Sequence, residues 1–177
     1  MQIDKAIVIL TNFFDAEKLI NDHAILCDNP IQIIKFNSDR LHVSSIALSH
    51  PKFDKLPNVY KYFESRLDFF CPTYDLLLKY KADNDWEFYT KKYKKIIIDR
   101  KDRIKEWFCT LVPDHVYILC CWENTSGKSH CHRQLLHKAF MSSEVAKKYM
   151  ISLYRHGKRT NTNIKRENNE AIEADDI

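Results

Sequence analysis

The 177-residue chain has only two glycines, Gly127 and Gly157, and five prolines. A glycine-rich dinucleotide loop is therefore excluded, because the backbone approaches a pyrophosphate closely only through such residues. Turns must use Asn, Asp, Ser and Pro instead. No apolar run approaches the ~18 residues of a membrane span. The apolar stretch near the start, Ala6 to Leu10, is too short for a secretory signal. The expectation is an intracellular, cytoplasmic protein without a membrane partner, its six cysteines thiols rather than disulfides. No Cys-x-x-Cys pair occurs, so the commonest zinc spacing is missing. Charge of one sign is lacking too. The 28 Lys and Arg against 24 Asp and Glu leave +4, too mild to argue for nucleic-acid binding alone.

What is present suffices for a folded core. With 45% hydrophobic and 12% aromatic residues the chain is not of disordered composition, and this length predicts one domain. Residues 158–177 are polar, with four basic and five acidic side chains. They read as a disordered tail behind a domain over 1–157, whose 24 basic and 19 acidic residues give it +5.

Strands are predicted at Ala6 to Leu10, Ile31 to Phe36, His42 to Leu48 and His115 to Cys121, and Val59 to Phe70 is ambiguous. Helices are predicted from Asp15 as cap through Ile20, from Thr73 as cap through Lys81, from Asp85 as cap, and from Asp99 or Arg100 to a stop at Pro113. Two more are predicted over Leu135 to Phe140 and Ser143 to His156, the last stopped by Gly157. Apolar strands alternating with amphipathic helices predict an α/β fold, a parallel or mixed sheet with flanking helices.

The window that carries chemistry is Cys120-Cys121-Trp122-Glu123, a polar loop, then Cys131-His132-Arg133 opening a helix. It lies beyond the carboxyl end of a strand, where open α/β folds place ligands. A cysteine at a helix start beside His and Arg suits a stabilised thiolate, and the same start with a forked Arg suits a phosphate or carboxylate. Glu123 can act as a base or an orienting carboxylate. A zinc reading stands beside it: Cys121, Cys131, His132 and His130 are soft and imidazole donors at one end of the sheet. The bland readings are packing for Cys27, Cys71, Cys109 and Cys120, a solvated helix start for His130, His132 and His137, core for Trp86, Tyr89 and Tyr93, and a solvated face for Lys91, Lys92, Lys94 and Lys95. Gly127-Lys128-Ser129 is no Walker loop, since position 122 holds Trp122 instead of glycine. A phosphatase-type loop fails as well, because Gly127 stands where its arginine should follow Cys121.

The segment Leu119, Cys121, Trp122, Glu123, then Cys131, His132, Arg133 resembles the family known as domain of unknown function 488. The likeness extends over about Ile7 to Phe140, through Thr11-Asn12-Phe13-Phe14, Ser49-His50-Pro51, Cys71-Pro72, Tyr80-Lys81 and Asp85 to Tyr93, and is nearest to smaller phage-type and bacterial versions. It implies one site made of Cys121, Glu123, Cys131, His132 and Arg133, to which Thr11 and Asn12 add ligand contacts. It implies no reaction. The leading expectation is a protein that binds, and can process, a phosphate-bearing ligand such as a nucleotide or nucleic-acid component. Arg133 would hold the anion, Cys131 or Cys121 act as nucleophile, and Glu123 move protons. The alternative is a noncatalytic module, its cysteines holding zinc or merely packed, that meets a protein or nucleic-acid partner. Nucleic-acid docking by the +5 body alone ranks last.

Overall fold

The computed structural model describes residues 4–22, 24–28, 31–35, 37–49, 51–123 and 130–154. The predicted tail over 158–177, the Gly127-Lys128-Ser129 stretch, His50 and the Gly157 helix stop lie outside them. The elements run β1 (Ile7–Asn12), α1 (Phe13–Asp22), β2 (Ala24–Asp28), β3 (Ile31–Lys35), β4 (Leu41–Ser45), α2 (Pro57–Tyr62) and β5 (Phe63–Arg66). They continue as α3 (Tyr74–Asp83), α4 (Trp86–Asp99), α5 (Lys101–Cys109), β6 (Val116–Cys121), α6 (His132–Ser142), α7 (Val145–Lys148) and β7 (Met150–Leu153).

Five strands form one all-parallel sheet in the order β5-β4-β6-β1-β7, and β2 and β3 pair as a separate antiparallel ribbon. The expected α/β architecture is the observed one. Successive side chains of a strand face opposite ways, so the burial of all six β1 residues means that the sheet is covered on both faces there. Helices α1 and α2 pack on each other and on β1, β6 and β4; α6 packs on β1, β7 and α4. After β4 the chain moves outward to β5, and after β6 it moves the opposite way to β7. The divergence opens a crevice at the carboxyl ends of β4 and β6, the switch point where such sheets take ligands.

Local chemistry explains the element ends. Thr73 Oγ1 accepts from the Leu76 N–H at 3.3 Å and Asp85 Oδ1 from the Phe88 N–H at 2.9 Å, as their cap positions predict. With glycine scarce, Asn84 takes the left-handed backbone (φ 53°) that ends α3, its N–H donating to the Tyr80 carbonyl at 2.8 Å. Three expectations need correction. Asp15 does not cap α1: Asn12 does, its Oδ1 accepting from the Asp15 N–H and its Nδ2 donating to Asp15 Oδ2, both at 2.8 Å. Ser143 to His156 is not one helix, because after the single turn of α7 the chain extends into β7. Its Met150 and Tyr154 N–H groups donate to the Ala6 and Leu10 carbonyls at 3.0 Å each. Those bonds satisfy an edge of the buried β1 that a helix would leave bare, so tertiary pairing overrides the local helical spacing. The strand predicted over Ile31 to Phe36 is β3, Ile31–Lys35, outside the main sheet, with Phe36 beyond the described residues; Ala24–Asp28, not among the predicted strands, pairs with it. The ambiguous Val59 to Phe70 divides into the end of α2, β5 and a 3₁₀ turn at Asp68–Phe70. Cys109, expected in the core, is exposed at the end of α5. Among the described residues no helix is long and apolar enough to cross a membrane.

Because the Asn12 side chain satisfies the opening turn of α1, Asn12→Ala should lower stability in urea by about 1–2 kcal/mol, whereas Asn12→Asp should cost far less. Equal midpoints for Asn12→Ala and wild type would contradict this capping role.

Candidate functional site

Cys121 is the last residue of β6 and Cys131 the residue just before α6. Alternation along β6 sends Cys120 and Cys121 to opposite faces of the sheet, which decides between them: Cys121 joins the site. Cys120 is packed in the core, where burial pushes its thiol well up. The helix start is fixed by Gln134, whose side-chain oxygen accepts from the Cys131 N–H at 2.9 Å. Cys121 Sγ and Cys131 Sγ come to 2.9 Å, both cysteines being free thiols. The Cys131 thiol donates to Glu123 Oε2 at 3.3 Å. Among the described residues, Cys121, Glu123 and Cys131 form a group that can hold a metal ion, with one donor atom from each lying within 4.8 Å of the others.

Arg133 lies beneath this group with 0% exposure. Its Nη1 donates to Cys121 Sγ and to the Glu123 carbonyl, both at 2.6 Å, and reaches Cys131 Sγ at 3.8 Å. The guanidinium expected to clamp an outside anion is thus turned inward. Burial disfavours its charge, and the two sulfurs and Glu123 outweigh that and strengthen it. Glu123 supplies the matching charge. Burial alone would raise its carboxyl, but the charge that His132 takes on at low pH, a backbone N–H and the two thiols hold it below the usual range. His132 is the neutral member of that pair. Burial pushes the ring down to about 4, and Nε2 lies 2.8 Å from the Ile46 carbonyl, an acceptor, so Nε2 carries the proton. The Nδ1 lone pair then faces Cys131 Sγ at 3.8 Å. Cys131 is held as a thiol, pushed well up by burial and then by Cys121 and Glu123.

A cavity of about 280 Å³ opens beside the cluster, in the crevice between the segments leaving β4 and β6. Glu123 and His132 line it, with Lys81, Ser49, Trp122 and Pro72 among the other walls. The sequence window contains neither Lys81 nor Ser49, because α3 and the β4 exit reach the site only through the fold. Cys121 and Cys131 are 0% and 3% exposed. The remaining candidates are engaged elsewhere: Thr11 donates to the Tyr154 carbonyl at 3.0 Å and Asn12 caps α1. His130 stacks on Trp86 with ring centres 4.5 Å apart and planes 10° from parallel. Tyr93 is core, its hydroxyl donating to the Phe70 carbonyl at 2.6 Å. No family model, curated protein or solved structure matches the chain.

The His132 ring titrates lower in the folded state than the ~6.5 of an unfolded chain, so the unfolded state takes the proton first as pH falls. Glu123, also depressed, loses its own contribution only below the ordinary carboxylate range. Stability should therefore fall between about pH 6.5 and 4, at up to ~1.4 kcal/mol per pH unit from His132 alone. Urea denaturation of wild type beside His132→Asn should show this slope in the former and a shallower one in the latter. Parallel profiles would refute the assignment of a buried neutral ring.

Proposed function

We propose that the protein holds one zinc-class divalent ion on Cys121, Glu123 and Cys131, at the edge of a cavity that receives a small phosphate-bearing ligand. The observation that carries the reading is the convergence of two sulfurs and one carboxylate in a pocket whose buried cation is already built in. Two thiolates and a carboxylate bring three negative charges, which a divalent ion and Arg133 together cancel. Without the ion, Arg133 and the Glu123 carboxylate balance each other while the sulfurs carry protons. Both forms are neutral, as a buried site requires. Tetrahedral zinc, with Zn–S near 2.3 Å, needs sulfurs about 3.8 Å apart, so binding would part the pair by roughly 1 Å. The second shell suits an ion: Arg133 donates to a ligand sulfur, and His132 keeps its Nδ1 unprotonated on the side of Cys131.

Glu123 belongs both to the donor group and to the cavity wall, so an ion held there would lie beside the cavity. A bound ion would supply Lewis acidity there. Around it Arg133 fixes the sulfurs, Glu123 orients toward the cavity, and neutral His132 offers a proton acceptor. Both sulfurs are buried, neither lines the cavity and the Cys131 thiol is pushed up, which supports ligation over direct attack on a cavity ligand.

Protein purified under reducing conditions without chelator should carry about one zinc per chain by elemental analysis. Reloading the stripped protein should release protons, because thiols ligate as thiolates. Cys131→Ser should lose the ion and Lys138→Ala, on the exposed side of α6, should keep it. A folded wild type taking up less than about 0.1 zinc per chain from excess metal would refute the reading.

A further inference from the structure

We infer that the cavity ligand is a small phosphomonoester whose phosphate is anchored by Lys81, with Lys81 taking the role that the sequence suggests for Arg133. The inference rests on the cavity being the ligand site of the proposed centre, and it adds the ligand's charge, size and anchor.

Three cavity residues are ionisable or imidazole-bearing: Lys81, Glu123 and His132. Lys81 is the only lysine or arginine among the described residues that line the cavity. It sits on α3, across the cavity from the cluster's own elements, β6 and α6, and forms no ion pair among the described residues. A lysine ammonium is a compact point charge of the kind that anchors phosphates, and it gains more from a doubly charged phosphomonoester than from a singly charged carboxylate. The guanidinium at hand, Arg133, is committed to Cys121 and Glu123.

The opposite wall is rigid. Trp122 Nε1 donates to the Ser49 carbonyl at 2.8 Å and to Ser49 Oγ at 3.1 Å, while Phe13 meets the ring edge-on at 5.6 Å. Ser49 Oγ accepts in that contact, so its own proton can be donated to a phosphate oxygen. Pro72 and Leu77 give the cavity an apolar side for a short carbon body. Its volume of about 280 Å³ has room for a phosphate on a short carbon body. The Glu123 carboxylate in the wall repels such a ligand until a cation neutralises it, so zinc and phosphomonoester should each tighten the other's binding.

The test is calorimetric titration of the zinc-loaded protein at low salt with glycerol phosphate, glycerate and AMP, using wild type and Lys81→Met. Glycerol phosphate should bind, glycerate should bind at least about tenfold more weakly, and AMP should gain nothing from its base. Lys81→Met should weaken glycerol phosphate about tenfold or more, the loss of one charge-assisted bond, with its zinc content unchanged. Equal affinity in Lys81→Met, or glycerate binding as tightly, overturns the inference while leaving the metal reading in place. Should the protein take up no zinc, the metal reading fails, and the same titrations on Glu123→Gln, which lacks the repelling charge, decide this one. Binding there that depends on Lys81 sustains it; absence of binding overturns it.

Discussion

A guanidinium wholly out of solvent, donating at 2.6 Å to both the Cys121 sulfur and the Glu123 carbonyl, constrains everything around it. A buried positive charge costs several kcal/mol unless it is paired and hydrogen-bonded. Arg133 can lie there only while the strand end that carries Cys121 and the residue two places on remain in reach of the α6 start. One side chain thus ties the exit of β6 to the first turn of α6, and brings Cys131 against Cys121. The Glu123 carboxylate adds to the field that favours the guanidinium's charge, and it is also a group that the site presents to the cavity.

The sheet topology determines where this assembly sits. Strands β4 and β6 are neighbours whose continuations leave in opposite directions, so their carboxyl ends stand clear of a covering connection. His132 bridges the two sides of that crevice by its hydrogen bond to the Ile46 carbonyl, just past β4. Trp122 and Ser49 bridge it again, nearer the surface. The cavity is the space left between these two ties, with α3 supplying its far wall. A charged cluster in the interior and a polar cavity beside it therefore follow from one crossing of the chain.

Much of this was legible in the sequence. The apolar runs at Ile7 and Val116 read as buried strands, and they are the adjacent strands β1 and β6. Thr73 and Asp85 announced their helices because capping is a local interaction. Cys121, Glu123, Cys131, His132 and Arg133 were recognisable as one site because they flank a single loop. What stayed hidden depends on contacts distant in sequence. Met150–Leu153 has helical spacing and becomes a strand because β1 offers unpaired backbone. The direction of Arg133, inward to a sulfur, cannot be read from its place on a helix start. Lys81 and Ser49, quoted in the sequence for the family likeness, reach the cavity from segments about 42 and 74 residues from Glu123, which only the folded arrangement joins. Asn12 was singled out for its chemistry and proved to be a cap, since a polar side chain at a strand end serves either purpose.

The account rests on the donor set around the proposed ion, and zinc-edge X-ray absorption of the loaded protein examines it directly. Two sulfur neighbours at about 2.3 Å, with the rest of the shell oxygen or nitrogen at about 2.0–2.2 Å, is the predicted result. A first shell without sulfur, or one of four sulfurs, would contradict it.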